Sequence, residues 1–361
     1  MDDATKIVKA NCWKQNLELT RSYSISYRTI SHVENIFVQL ETGNGNSGIG
    51  SGSPAEFVTG ETSKSAIDIL DKKLEQLLLG KDIRYLKEHC RTLETEMPNN
   101  PAAATAIDIA LHEILAKHLH IPLVDLLGRV HHKLPSSITI GIKETVEETL
   151  NEAAEHLEKG FRIIKLKIGK NVERDIETTR KLHEKVGKSM KIRVDANQGY
   201  SARDLIRYVK ETESCKLELI EQPVRKNSER EMFDVPAEIR KICAGDESIR
   251  RPKDAQRYSA HPQPFGIYNI KLMKCGGVYL ATCIADIAQL AGIELMWGCM
   301  DESAISITAA LHAALASPAT RYLDLDGSLD LAQDVVKGGF IVENGYMSVT
   351  DKPGLGVQLI T

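Results

Sequence analysis

Phe161-Arg162-Ile163-Ile164-Lys165-Leu166-Lys167-Ile168-Gly169, FRIIKLKIG, has the length and apolar character of a buried strand, yet it holds two lysines two residues apart. Side chains alternate along a strand, so Lys165 and Lys167 share one face. Two like charges on one face of a central strand are costly unless that face has a use for them. The neighbouring segments supply the context. SITIGI (Ser137–Ile142) precedes a helix that Thr145 can cap, with Glu148 as its capping-box partner. After IIKLKIG come a helix ending near Val186, KIRVDANQG, a helix from Ser201, LELIEQP, ICAGDES, YNIKLMKCGG, IELMWGCMDES and YLDLDG, with amphipathic helices between these strands. Strand–helix alternation sustained this long implies parallel strands with right-handed crossovers.

Spacing separates a closed barrel from an open sheet. Lys167 to Asp195 is 28 residues, Asp195 to Glu221 is 26, and Glu221 to Asp246 and Asp246 to Lys271 are 25 each. Lys271 to Asp324 is 53, two such steps. One polar residue thus recurs at the C-terminal end of each successive strand, and in a barrel those ends converge on one mouth. No GxGxxG or Walker motif follows any strand, which removes the nucleotide reasons for an open sheet. The fold class expected from spacing is α/β, a closed barrel of parallel strands.

The chain ahead of it has another texture. Lys6 to Ile49 alternates apolar and polar residues, with a turn-like Thr42–Gly48, and reads as a short antiparallel meander. From Ser63 the pattern is helical, and Pro122 breaks Ala106–Gly128 into two helices. The first part of the chain is therefore an α+β domain of antiparallel strands followed by helices.

The net charge of −4 leaves no basic field for nucleic acid and no polybasic membrane patch. Seven scattered cysteines without a CxxC pair read as reduced thiols. No apolar signal core opens the chain, so a cytoplasmic location is expected, and no run is long enough to span a membrane.

Asp195, Glu221 and Asp246 end the strands RVD, LIE and AGD. Read singly, each serves equally well as a helix cap. Together, on neighbouring barrel strands, they would repel one another. A hard divalent cation removes that cost, and Mg2+ takes oxygen ligands. Lys167 and Lys271 would then face each other across the mouth as acid/base groups, with Lys165 lowering its neighbour's pKa. Lys274 is the rival of Lys271; strand alternation puts the two on opposite faces. Asp324 and Asp326, again two apart, suit an ammonium group, although a solvated strand end before a Gly turn has the same appearance.

Taken together, KLK, VDANQG, EQPV, GDES, KLMKCGG and LDLDG resemble the enolase superfamily, its muconate-lactonizing subgroup and, within that, the dipeptide epimerases. ALHEILAKHLHIPLVDLLG resembles the end of that family's capping domain and KPGLGV the returning C-terminal segment, so the resemblance implies a modified (β/α)7β TIM-type barrel over residues 129–339 beneath an α+β capping domain of residues 1–128, completed by about 340–361. The resemblance implies Mg2+ on Asp195, Glu221 and Asp246, Lys167 and Lys271 as the two acid/base catalysts, and Asp324 and Asp326 on the α-ammonium of a dipeptide. Lys165 would contact the substrate carboxylate, and Thr139 would line the substrate. A lysine or histidine base working beside Mg2+ that stabilises an enediolate is chemistry general to that superfamily. The reaction implied is epimerisation at the α-carbon of the C-terminal residue.

Specificity is less sharply marked. Arg28 aligns with a cap-loop arginine able to receive an acidic side chain, which favours L-Ala-D/L-Glu, a muropeptide fragment. Glu56 and Asp301 add negative charge that suits cationic side chains instead, and hydrophobic dipeptides are a further alternative. Trp297 either narrows the pocket or packs in the barrel. Ser51 stands where the family often has Glu, in a cap loop. A cycloisomerase or o-succinylbenzoate synthase-type lyase would use the same metal and lysines without an ammonium site, and a catalytically silent binding barrel is a third possibility. The partner expected is a small dipeptide, with no nucleic acid or membrane, on a homo-oligomer.

Overall fold

The computed structural model describes the backbone of residues 3–25 and 28–360 and the side chains of residues 4–20 and 32–360. Alternating sequence at the start of the chain forms β1 (Ile7–Ile25) and β2 (Arg28–Thr42), an antiparallel hairpin to which β3 (Ser47–Gly52) adds. The strands of 19 and 15 residues are far longer than a short meander. Three helices follow: α1 (Ser63–Leu78), α2 (Leu86–Glu96) and α3 (Pro101–His118). The first buries Ala66, Leu70, Leu74 and Leu78 along one stripe, the pattern of a surface helix. The third is buried from Pro101 to Ala116, because it lies between the sheet and the rest of the molecule.

Backbone contact sets that packing. Gly48, Gly50 and Gly52 point to one face of β3. A Cβ on Gly50 would stand 1.9 Å from the Ala106 carbonyl oxygen; on Gly48 and Gly52 it would stand 2.5 Å and 2.2 Å from those of Ala110 and Ala102. These alanines recur every four residues on one face of α3. Glycine stripe and alanine stripe therefore meet main chain to main chain.

Pro122 interrupts the helices as expected, and the short α4 (Leu123–Leu127) follows. After β4 (Leu134–Pro135) come eight parallel strands: β5 (Ile138–Ile140), β6 (Ile163–Lys167), β7 (Lys191–Asp195), β8 (Ile220–Glu221), β9 (Cys243–Gly245), β10 (Ile267–Ile270), β11 (Glu294–Gly298) and β12 (Thr320–Asp324). They lie side by side in sequence order. A parallel bridge between Ser136 and Leu323, with the Ser137 N–H donating to the Leu323 carbonyl at 3.0 Å, joins last strand to first. The connections carry α5 (Val146–Glu158), α6 (Val172–Val186), α7 (Ala202–Glu211), α8 (Ala237–Lys241), α9 (Pro252–Ser259), α10 (Leu272–Cys275) with α11 (Val278–Leu290), and α12 (Ala304–Leu315). Thr145 and Ser201 cap α5 and α7 with the reciprocal bonds of capping boxes. No helix directly follows β12, so the ring is a (β/α)7β barrel.

Four short strands end the chain: β13 (Val336–Gly338), β14 (Phe340–Glu343), β15 (Tyr346–Val349) and β16 (Val357–Leu359). β13 pairs with β16, β15 pairs with β14 and β4, and Gly354 exchanges backbone bonds with Ile121 and Leu123. The cap also grips the barrel through Asp108 of α3, whose carboxylate accepts the Val278 N–H at 2.5 Å and so caps α11. Gly277 leaves room for it, since a Cβ there would lie 2.3 Å from the Asp108 carboxyl carbon. Cys90 and His112 surround the same carboxylate, and His112 Nδ1–H donates to the Asp108 carbonyl at 2.8 Å. All seven cysteines are free thiols. No described helix is long and apolar enough to cross a membrane.

Inside the barrel, side chains stack in layers. Leu219, Ala244, Ile267 and Met296 form a small apolar cluster, against which Tyr322 packs. The Arg193 guanidinium lies 5.1 Å from the Tyr322 ring centroid. Two residues further along the same strands come Asp195, Glu221, Asp246, Asn269, Gly298 and Asp324. Strand alternation thus carries the interior from an apolar floor to a polar rim in one step.

Gly50→Ala should lower stability by about 1–3 kcal/mol, the cost of overpacking a close-packed contact. Thermal denaturation followed by circular dichroism would measure it. Gly45→Ala, at an open turn with φ +84, probes backbone strain without a packing clash.

Candidate active site

The strand order places the polar residues around the mouth. β7, β8 and β9 are neighbours, so Asp195, Glu221 and Asp246 form one arc. All three are buried. The Asp195 carboxylate accepts the Asn197 N–H at 2.8 Å and Lys167 Nζ at 2.6 Å. Glu221 Oε1 accepts Asn269 Nδ2 at 2.7 Å. Asp246 Oδ2 accepts Lys271 Nζ at 2.8 Å, and Oδ1 accepts Lys274 Nζ. Lys271 also stands 3.8 Å from Glu221 Oε1.

β6 and β10 lie four strands apart on the eight-strand ring, so Lys167 and Lys271 come from opposite sides. β8 and β12 are likewise opposite. The carboxylate arc therefore faces Asp324 and Asp326 across the mouth. Lys165 Nζ bridges the two, bonded to Asp324 Oδ2 and 3.6 Å from Glu221 Oε2. Ser137 Oγ donates to Asp324 Oδ1 at 2.7 Å, and the Thr139 N–H donates to Asp326 Oδ2 at 2.7 Å.

Electrostatics follow from this packing. Burial, with Asp195 alongside, pushes Glu221 up to about 8. Burial acts on Asp246 in the same direction, but Lys271 and Lys274 outweigh it and hold the carboxyl well below the usual range. Burial, then Asp324, raises Asp326 to about 6. Burial alone would neutralise Lys165; Asp324 and Glu221 reverse that and hold its proton firmly. Asp246 and Glu221 do the same for Lys271. The Lys165 ammonium is held in an ion pair with Asp324.

The donor set fits a hard divalent cation. Three buried carboxylates supply oxygen ligands, and Glu221 Oε2 is buried without a hydrogen-bond partner. A lone buried carboxylate oxygen of that kind is costly unless a cation takes it.

A cavity of about 440 Å3 adjoins the arc, lined by Thr139, Lys165, Lys167, Asp301, Asp324 and Asp326 among others. Asp301 is placed by its main chain: Ser53 Oγ, in the loop after β3, donates to its carbonyl at 3.0 Å. Glu56 is exposed in that same loop, whose far end is held by Arg250 donating to the Thr59 carbonyl at 3.0 Å. Ser51 is fully buried in β3. Trp297 is fully buried and donates to Thr320 Oγ1 at 2.9 Å, so it packs in the barrel. The Arg28 side chain lies outside the described residues.

Two rim residues escape a reading of the sequence, and a third is misplaced by it. Asn269 shares a strand face with Lys271, two residues away, and that parity is the signal available. Cys299 lines the cavity and accepts the Gly327 N–H at 3.3 Å. Lys274 does not turn away from Lys271. The strand stops at Ile270, α10 begins at Leu272, and the helical turn brings Lys274 back to Asp246.

A parallel barrel whose mouth gathers three buried carboxylates and opposed lysines has the architecture of an enzyme active site. The chain belongs to the enolase superfamily, in its mandelate racemase/muconate lactonizing branch: residues 7–128 match the N-terminal domain of mandelate racemase and muconate lactonizing enzyme, and residues 148–360 match the enolase C-terminal domain-like family. It is 54% identical to the L-Lys-D/L-Arg epimerase of Desulforapulum autotrophicum, over 98% of this chain and 100% of that protein. It is 32% identical to the L-Ala-D/L-Glu epimerase of Clostridium acetobutylicum, over 95% and 96%. The crystal structure of a dipeptide epimerase from Methylococcus capsulatus, complexed with Mg and L-Arg-D-Lys, superposes with a TM-score of 0.95 at 49% identity, covering 98% of this chain and 99% of that one. The Ala-Glu preference expected from Arg28 finds no support in these similarities, which are greater to cationic-dipeptide epimerases.

Because Glu221 must lose its proton to take a cation, Mg2+ affinity should tighten as pH rises through about 8, with proton release on binding at pH 7. Calorimetry in buffers of different ionisation enthalpy measures both. Glu221→Gln should abolish the release and most of the binding.

Proposed function

We propose that this protein epimerises dipeptides at the α-carbon of the C-terminal residue and prefers cationic side chains. It is an isomerase. Asp195, Glu221 and Asp246 hold Mg2+, Lys167 and Lys271 are the two acid/base catalysts, and Asp324 and Asp326 receive the α-ammonium. The observation that carries this reading is the crossed geometry of the ring. The carboxylate arc faces the Asp324–Asp326 pair on one axis, and Lys167 faces Lys271 on the other. A dipeptide laid along the first axis, carboxylate at the arc and ammonium at β12, has its C-terminal α-carbon between the two lysines.

Bound Mg2+ supplies fixed positive charge where the substrate carboxylate gains negative charge. The rest is the work of side chains. One lysine, unprotonated, takes the α-proton from its side; the other, protonated, delivers a proton to the opposite face. Exchanging the roles runs the reaction in reverse. Lys165 lies between Glu221 and Asp324, where it meets the substrate carboxylate. Its Asp324 partner is then shared with the incoming ammonium.

The cationic preference draws on two observations. Asp301 and Asp330 add negative charge to the cavity wall beyond the Asp324–Asp326 pair. The relative sharing 54% of its residues is named for Lys and Arg. Reduced thiols throughout agree with a cytoplasmic setting.

Incubated with Mg2+ in D2O, the protein should place deuterium at the C-terminal α-carbon of Lys-Arg and Arg-Lys dipeptides faster than of Ala-Glu, read by mass spectrometry. No uptake in any dipeptide would refute epimerisation; faster uptake with Ala-Glu would refute the preference. Lys167→Ala and Lys271→Ala should each cut interconversion by about 10²–10⁴-fold. Asp326 is anionic only above about pH 6, so kcat/KM should fall as pH drops through that value, and Asp326→Asn should remove this acid limb while raising KM. An unaltered pH profile in that variant would exclude Asp326 as the ammonium partner.

A further inference from the structure

Each carboxylate of the arc is gripped by one donor on one oxygen, leaving its other oxygen differently employed. Asn197 N–H holds Asp195 Oδ1 at 2.8 Å, Asn269 Nδ2 holds Glu221 Oε1 at 2.7 Å, and Lys274 Nζ holds Asp246 Oδ1. We propose that Asn269 and Lys274 are positioning residues that aim Glu221 and Asp246 at the cation. The proposal rests on reading the arc as a metal site and does not depend on which dipeptide is turned over.

Lys274 is buried, and its ammonium has three protons to donate. They go to the Asp246 carboxylate, to the Asp246 carbonyl at 2.6 Å and to the Asn269 carbonyl at 3.1 Å. Bonding both the main chain and the side chain of Asp246 fixes the rotamer of that carboxylate. Lys271 makes one bond to the same carboxylate, to Oδ2, and keeps donor capacity in hand.

Asn269 extends the same chain of contacts. Its carbonyl is bound by Lys274, while its amide bonds Glu221, so Asp246, Lys274, Asn269 and Glu221 form one connected unit. The amide lies fully buried against Gly298, where a Cβ would fall 2.7 Å from Asn269 Oδ1. A neutral donor is what this position requires. A carboxylate would set a further negative charge against Glu221, and an aliphatic side chain would free Glu221 Oε1 to rotate. Holding Oε1 leaves Oε2, the oxygen without a partner, as the one presented.

The sign of the Lys274 effect makes the idea testable. By charge alone, removing a cation beside a metal ligand tightens cation binding. Positioning predicts the reverse. The probe is Mn2+, titrated into the full-length protein and followed by electron paramagnetic resonance, with Mg2+ calorimetry alongside and no dipeptide present. Lys274→Met and Asn269→Leu should each raise the Mn2+ dissociation constant by about 10–100-fold, the usual range for groups that orient metal ligands. Lys271→Met, which removes an equal charge from the other oxygen of Asp246, should not raise it. Equal or tighter Mn2+ binding in Lys274→Met and Asn269→Leu, with circular dichroism confirming the fold, would overturn the proposal. Weakening of equal size in Lys271→Met would do so as well. If one of the two positioning variants does not fold, the other decides, because each acts on a different carboxylate. Failure of the metal reading itself has a separate signature: the unsubstituted protein would bind no Mn2+.

Discussion

Everything at the mouth of this barrel answers to the cost of crowding buried carboxylates. Asp195, Glu221 and Asp246 sit on adjacent strands, and Asp324 faces them. Ionised and alone, such a group would split the barrel or hold its protons. The chain answers with lysines interleaved among the acids, so that Asp195, Asp246 and Asp324 each have a lysine in direct contact. Glu221 is the exception, with its two nearest lysines at 3.6 Å and 3.8 Å and an oxygen without a hydrogen bond. The most strained member of the set is therefore also the central one, on the middle strand of the arc. A site arranged this way has its strongest need for positive charge at the point where a divalent cation would touch all three acids.

The same ring keeps the opposed lysines apart from the outer loops. Lys167 ends β6 and Lys271 follows directly on β10, within the barrel wall, while Asp301 and Glu56 belong to loops above it. The cap reaches those loops from a strand locked to its own helix by glycine and alanine. Asp108 then clamps that helix to α11. Rigidity thus passes from β3 through α3 to the barrel, and the loop after β3 inherits a fixed origin.

Most of the polar constellation at the mouth is legible because strand alternation is a strict geometric rule. Lys165 with Lys167, and the recurrence of acids at strand ends, can be read without coordinates, and the barrel class with them. The same rule reaches Asn269, two before Lys271, once it is applied to uncharged residues. It fails at Lys274 because the strand ends at Ile270 and a helical turn begins, and strand ends are poorly marked in a run as uniform as YNIKLMKCGG. The length of β1 and β2 is underestimated, since alternation says nothing about where pairing stops. Side-chain preference lies beyond reach for another reason. The loops that would meet a side chain come from distant parts of the chain, and Ser53 meeting Asp301 across 248 residues leaves no local trace.

Ser53 holds Asp301 by its carbonyl, Arg250 holds Thr59 by its carbonyl, and Thr20 holds Asp330 the same way, through N–H at 2.8 Å and Oγ1 at 3.1 Å. A segment tethered through its main chain keeps its place whatever side chain it carries. Side-chain substitutions at Asp301, Thr59 or Asp330 therefore leave these tethers in place. A designer wishing to redirect the barrel inherits the same freedom, with the tethers as the parts to leave alone.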